Sequence, residues 1–166
     1  MEVENKVNFF RQPTSKRERT VSLLLISFIS LSVAFIFSNS LLPPSESAEQ
    51  SGWVANFIRM LLPEGNLLGD FIIANIRKIA HAVEFGMLGS FVAAFSATFG
   101  AKWQYYHVTS ILFGLVIGFL DESLQMCTGR GPMILDVWID LGGYTALYLI
   151  IFTCVAAIRA HRRSKE

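Results

Sequence analysis

The chain has 166 residues, of which 52% are hydrophobic and 16% charged, and its formal net charge is +1. Soluble domains carry about 25% charged residues, so this composition, with apolar residues in long blocks, excludes an ordinary soluble enzyme and points to a multi-spanning membrane protein. The near-zero net charge gives no electrostatic footprint for nucleic acid, and Cys127 and Cys154, the only cysteines, form neither a disulfide framework nor a zinc spacing.

In chain order, a polar stretch of about 19 residues precedes the first apolar block. It lacks the short basic start, apolar core and small-residue cleavage site of a secretory signal. We therefore read 1–19 as a cytoplasmic tail, 20–158 as one membrane domain and 159–166 as a basic cytoplasmic tail. A bilayer core needs roughly 20 helical residues. Four segments meet that length: Thr20–Leu42, stopped by Pro43-Pro44, then Ile76–Phe99, Tyr106–Leu124 and Asp136–Ile158. The expected fold is all-α, with four transmembrane helices.

The loop Pro43–Asn75 contains Gly52–Leu62, which puts Trp53, Phe57, Met60 and Leu61 on one helical stripe. It is too short to span. It reads either as an interfacial helix lying on the outer leaflet or as a lid on the outer ends of the spans. Asn66–Asn75 is expected to run into the second span as one helix. A tight turn, Gly100-Ala101-Lys102-Trp103-Gln104, joins the second and third spans.

Cation placement sets orientation. With the N-terminus in the cytoplasm, Lys6, Arg11, Lys16, Arg17, Arg19, Lys102, Arg159, Arg162, Arg163 and Lys165 lie inside, ten of fourteen cations. Both termini are therefore expected in the cytoplasm. Nine of the thirteen acids then fall outside or in the outer leaflet, so the polar chemistry lies on the extracytoplasmic side.

Three polar clusters border the apolar segments. In the second span, Arg77, His81, Glu84 and Leu88 follow a +4, +3, +4 spacing on one helical face, with Lys78 beside it. Ionisable groups in hydrocarbon cost roughly 2.5–3.5 kcal/mol each on insertion scales, so they are kept where they are paired, wet or used. At the end of the third span, Asp121 and Glu122 stand within one turn of Gln125. Adjacent acids there oppose the helix dipole and call for cations, metal or water. Gly129-Arg130-Gly131-Pro132 is a turn signal. In the fourth span, Asp136, Asp140 and Gly143 share a face; Asp136 suits a helix N-terminus, whereas Asp140 lies a turn deeper beside Gly142-Gly143, where small residues permit close helix packing. The alternatives for these clusters are a shared functional pocket or an ion-pair network that ties the helices together.

At these residues the sequence resembles the VanZ-like family. The first motif reads Arg77-Lys78-Ile79-Ala80-His81-Ala82-Val83-Glu84-Phe85. The second reads Asp121-Glu122-Ser123-Leu124-Gln125, then Gly129-Arg130, then Asp136-Val137-Trp138-Ile139-Asp140-Leu141-Gly142-Gly143. The likeness runs from Phe35 onward. Phe85 stands where a Tyr is common, Thr128 replaces a frequent Pro, and the Gln125–Arg130 interval is one residue short. The resemblance implies a multi-pass protein of the bacterial cytoplasmic membrane. The family's founding member is associated with resistance to the glycopeptide teicoplanin, and the family supplies no established reaction.

Three function classes follow. In the first, the pocket acts on an anionic, amphipathic envelope molecule: a lipid-linked wall precursor, a polyprenyl phosphate or a phospholipid headgroup. Arg77, Lys78 and Arg130 would clamp phosphate or carboxylate, with Gln125 and the Asp136–Asp140 face as further ligand contacts. His81 would be general acid or base, oriented by Glu84, with Asp121 and Glu122 as further catalytic candidates. The carboxylates also suit a divalent cation, although no cofactor is assigned. In the second class the pocket binds or transports a headgroup or glycopeptide without covalent change. The run Leu115–Phe119 offers no polar route through the third span. In the third class the protein is structural.

Overall fold

The computed structural model describes residues 10–62, 65–100, 103–131 and 133–165. They form six helices: α1 (Lys16–Ser40), α2 (Pro44–Leu61), α3 (Leu67–Ala74), α4 (Ile76–Phe99), α5 (Trp103–Cys127) and α6 (Ile134–Arg163). The four long ones, α1, α4, α5 and α6, are long and apolar enough to cross a membrane. The all-α expectation holds, and α4 has the expected bounds. Lys102 and Pro132, expected in turns, and Glu64 lie outside the described residues.

The other spans start before their apolar limits, and α5 and α6 also end beyond them, whereas α1 stops two residues short of Leu42. Helix α1 starts at Lys16 because the Ser15 hydroxyl accepts the Glu18 N–H at 3.1 Å, a capping bond outside the apolar block. It ends at Ser40, and Pro44 opens α2 at a position where its missing N–H costs nothing. Helix α6 starts two residues before Asp136, and no side chain caps it. Asp136 stands in its first turn, where a negative charge complements the helix dipole. The continuous helix expected through Asn75 is also broken. Asn75 turns the chain with φ −116° and ψ 20°, and its side-chain amide donates to the Phe71 carbonyl at 2.9 Å.

Helix α1 faces the protein with small and polar residues, Ser22, Ser32, Ile36 and Ser40, while Leu23, Leu24, Phe28, Leu31 and Phe35 point outward. This polarity is inverted relative to a soluble helix, as hydrocarbon surroundings require. Its serines satisfy themselves on the preceding turn, as when Ser32 donates to the Phe28 carbonyl at 2.8 Å.

The most extensive helix pair is α4 with α6, and glycines bring the two backbones together. A Cβ on Gly143 would press on the Ala82 carbonyl, and one on Gly89 on the Tyr144 carbonyl. The core centres on this seam: Ile36, Phe85, Leu88, Ala93, Ile117, Tyr144 and Tyr148. Its polar atoms are paired. The Tyr144 hydroxyl donates to the Ser110 carbonyl at 2.7 Å, and the Ser96 and Ser110 hydroxyls lie 3.1 Å apart.

Candidate functional site

The close α4–α6 approach carries His81 and Asp140 to the same level. Asp140 sits on the face of α6 that also bears Gly143, and Gly143 lies against Ala82, the neighbour of His81. The His81 Nδ1 stands 3.4 Å from Asp140 Oδ1 and 3.6 Å from Asp121 Oδ2. Asp121 and Asp140 are fully buried, and the His81 side chain is 15% exposed. One ligand atom from each of the three lies within 4.8 Å of the other two, which makes them a group able to hold a metal ion.

Around this centre each acid has a different fate. Asp121 accepts the Ser40 hydroxyl and, at 2.9 Å, the Gln125 amide. The same amide donates to Glu122 at 3.1 Å, and Glu122 also accepts the Met133 N–H at 2.9 Å. Gln125 is therefore the link between the adjacent acids of α5. Glu84 accepts the Asn39 amide at 2.9 Å. Among the described residues no ordinary hydrogen-bond donor reaches either oxygen of Asp140, and one buried oxygen of Asp136 likewise has none.

A cavity of about 600 Å³ opens in front of His81. This is within the range of small-molecule sites, roughly 300–1,000 Å³. Its polar wall includes Asn39, Arg77, His81, Glu84 and Arg130, and its apolar wall includes Trp53, Val54, Ile58, Ile72, Ile76 and Val83. The Arg130 Nη1 donates to the Asn39 carbonyl at 3.2 Å. Gly129 takes φ +76°, a backbone state that favours glycine, and turns the chain so that Arg130 follows buried. Burial, and after it the charge of Arg77, push the Arg130 guanidinium below its ordinary value. Among the described residues neither arginine makes an ion pair, and the Arg130 Nε is buried without an acceptor.

The structure thus gathers His81, Glu84, Arg77 and Arg130 at the cavity, with Asp121, Glu122, Gln125 and Asp140 packed behind them. Asp136 is half-buried beyond that layer. Lys78 is exposed and contributes nothing to the cavity wall. Two residues escaped the reading of the sequence: Asn39, which holds both Glu84 and Arg130, and Ser40, which holds Asp121. Their signal was the polar run Ser38-Asn39-Ser40 at the C-terminal end of an otherwise apolar span, on the inward face of Ser32 and Ile36. Helix α2 is longer than Gly52–Leu62, and its stripe is outward: Phe57, Met60 and Leu61 are exposed, while Val54 and Ile58 line the cavity.

Searches of curated proteins and of solved structures return no match to this chain. The family model described as VanZ/LLP1 matches residues 21–156, a longer stretch than the likeness from Phe35 onward. That match covers all four spans and every residue of the cavity and the carboxylate layer, so the chain belongs to the VanZ/LLP1 family.

Proposed function

We propose that the cavity binds an anionic amphiphile of the bacterial envelope, taken from the outer leaflet of the cytoplasmic membrane. The observation that carries this reading is the pair of guanidiniums, Arg77 and Arg130, at a half-apolar cavity with no carboxylate among the described residues in ion-pair contact with either. A phosphate or carboxylate headgroup supplies the missing acceptor, and Arg binds such groups through two parallel bonds. The wall formed by Trp53, Val54, Ile58, Ile72 and Ile76 takes the adjoining hydrocarbon. The exposed Phe57, Met60 and Leu61 stripe of α2 suits a helix lying in the membrane interface above that entrance. Lipid-linked wall precursors, polyprenyl phosphates, phospholipids and, from the aqueous side, glycopeptides share this chemistry.

A second reading, that the bound molecule is also processed, is favoured by one feature. His81 and Glu84 lie on the same wall as the arginines, within reach of a headgroup held there. Binding is the simpler function and is common to both readings.

The test is mass spectrometry of lipids retained by the full chain purified into nanodiscs. Enrichment of a phosphate-bearing amphiphile over the bulk membrane, lost in the Arg77→Gln/Arg130→Gln variant, is the expected result. Retained lipid that mirrors the bulk membrane would overturn the proposal. Its orientation is checked in intact cells lacking Cys127 and Cys154: Ser45→Cys should label with an impermeant thiol reagent, and Ser164→Cys should not. The reverse pattern would put the cavity in the cytoplasm.

A further inference from the structure

The layer behind the cavity has a chemistry that amphiphile binding does not use. Asp140 is fully buried, and among the described residues neither of its oxygens receives a hydrogen bond of ordinary length. A carboxylate in that position has lost its water and gained no donor, which is costly. The group that faces it is His81 Nδ1, itself buried and, among the described residues, without a hydrogen bond of ordinary length. It faces two carboxylates at 3.4 and 3.6 Å. These separations exceed an ordinary N–H···O bond of about 2.7–3.2 Å. They match instead the spacing between neighbouring ligands of one metal ion. Bonds of about 2.0–2.2 Å place adjacent ligand atoms roughly 2.8–3.6 Å apart, from octahedral to tetrahedral geometry.

We propose that His81, Asp121 and Asp140 form a binding site for a first-row divalent cation of the zinc or manganese class, seated behind the cavity wall. One imidazole nitrogen and two carboxylates select that class. Calcium and magnesium prefer all-oxygen shells, and soft ions prefer thiolates; both cysteines are exposed and free. A divalent ion balances the two ligand carboxylates. The donors around Asp121 are those of an oriented ligand: Ser40 donates to Oδ1, and Gln125 donates to Oδ2, the oxygen that faces His81. Three protein ligands leave coordination positions open, the pattern of zinc sites that bind water or substrate. His81 belongs to both the metal centre and the cavity wall, so the open positions adjoin the space proposed for the headgroup. That last step rests on the amphiphile reading; the metal site does not.

The experiment uses the full chain, tag-free, purified in detergent and stripped with chelator. It is dialysed separately against Zn²⁺, Mn²⁺ and Mg²⁺, and bound metal is measured by mass spectrometry. Zinc or manganese should be retained in equimolar amount and raise the melting temperature, and magnesium should do neither. Asp140→Asn should abolish retention, and Gln125→Leu should weaken it about 10–100-fold, as loss of a group that orients a ligand does. X-ray absorption of the metal-loaded native chain should show only nitrogen and oxygen neighbours, with a single imidazole. That measurement decides the question even where Asp140→Asn does not fold. Absence of stoichiometric metal in the native chain, unchanged retention in a folded Asp140→Asn protein, or a sulfur or multiple-imidazole shell would each overturn the site. Lipid retention in the Arg77→Gln/Arg130→Gln variant is scored separately, so either proposal can fail alone.

Discussion

Helix α4 serves two regions that obey different rules. Its middle and C-terminal turns, Phe85 to Phe99, pack against α6, where the backbones meet at Gly89 and where Phe85, Leu88, Val92 and Ala93 belong to the core. Its N-terminal turns, Ile76 to Glu84, face a cavity with a polar wall, and Gly143 of α6 closes on Ala82 behind them. In the seam, position is enforced by steric contact. At the cavity, position is enforced by a few hydrogen bonds from α1. A membrane helix gains no hydrophobic driving force from packing against another helix, so close fit must hold the seam. That leaves the N-terminal end of α4 free to keep open space and unpaired charge. A rigid seam supporting an open site is the arrangement that holds functional groups in place.

The largest expected effect breaks the seam. Gly143→Ala or Gly89→Ala drives a methyl into a backbone carbonyl and should destabilise the fold by about 1–3 kcal/mol or more. The readout is melting temperature and membrane abundance. Gly142→Ala, one residue away in open space, should fold as well as the native chain. Equal melting temperatures for Gly142→Ala and Gly143→Ala would show that the two helices do not approach so closely.

A smaller effect is expected where hydrogen bonds do the positioning. Asn39→Ala removes the donor to Glu84 while leaving the seam intact. A loss of about 1–2 kcal/mol is expected for a half-buried bond to a carboxylate, accompanied by weaker lipid retention. Asn39→Ala behaving as the native chain in both assays would place Glu84 outside the site.

The smallest effect sharpens the boundary of the cavity. Adjacent cations on α4 should behave differently: Arg77→Gln should lower retention of an anionic amphiphile severalfold, and Lys78→Gln should leave it unchanged. Neither should alter melting temperature, since both side chains are exposed. Equal losses from the two would mean that charge near the membrane surface, not the cavity, attracts the ligand.

Much of this organisation was legible in the residues alone. Hydropathy is a local property, because each span must be apolar in its own right to lie in lipid. The four spans, the all-α class and the family motifs followed from that and from the spacing of polar residues. The ends of the elements were less legible. Ser15 and Glu18 start α1 beyond its apolar block, and Asn75 splits one expected helix into two, because short-range hydrogen bonds compete with continuation of the helix.

The linear sequence, then, determined which residues are polar in an apolar setting and which of them share a helical face: Arg77 with His81 and Glu84, Asp121 with Gln125, Asp136 with Asp140. Tertiary structure alone decided their partners. It set His81 against Asp140 and Asp121, gave Glu84 to Asn39, joined Arg130 to the end of α1, and left Lys78 outside. The reason is physical. Facing residues on different helices meet according to how closely the backbones approach and how each helix is rotated, and here that is settled by the absence of side chains at Gly89 and Gly143 against carbonyls far away in sequence.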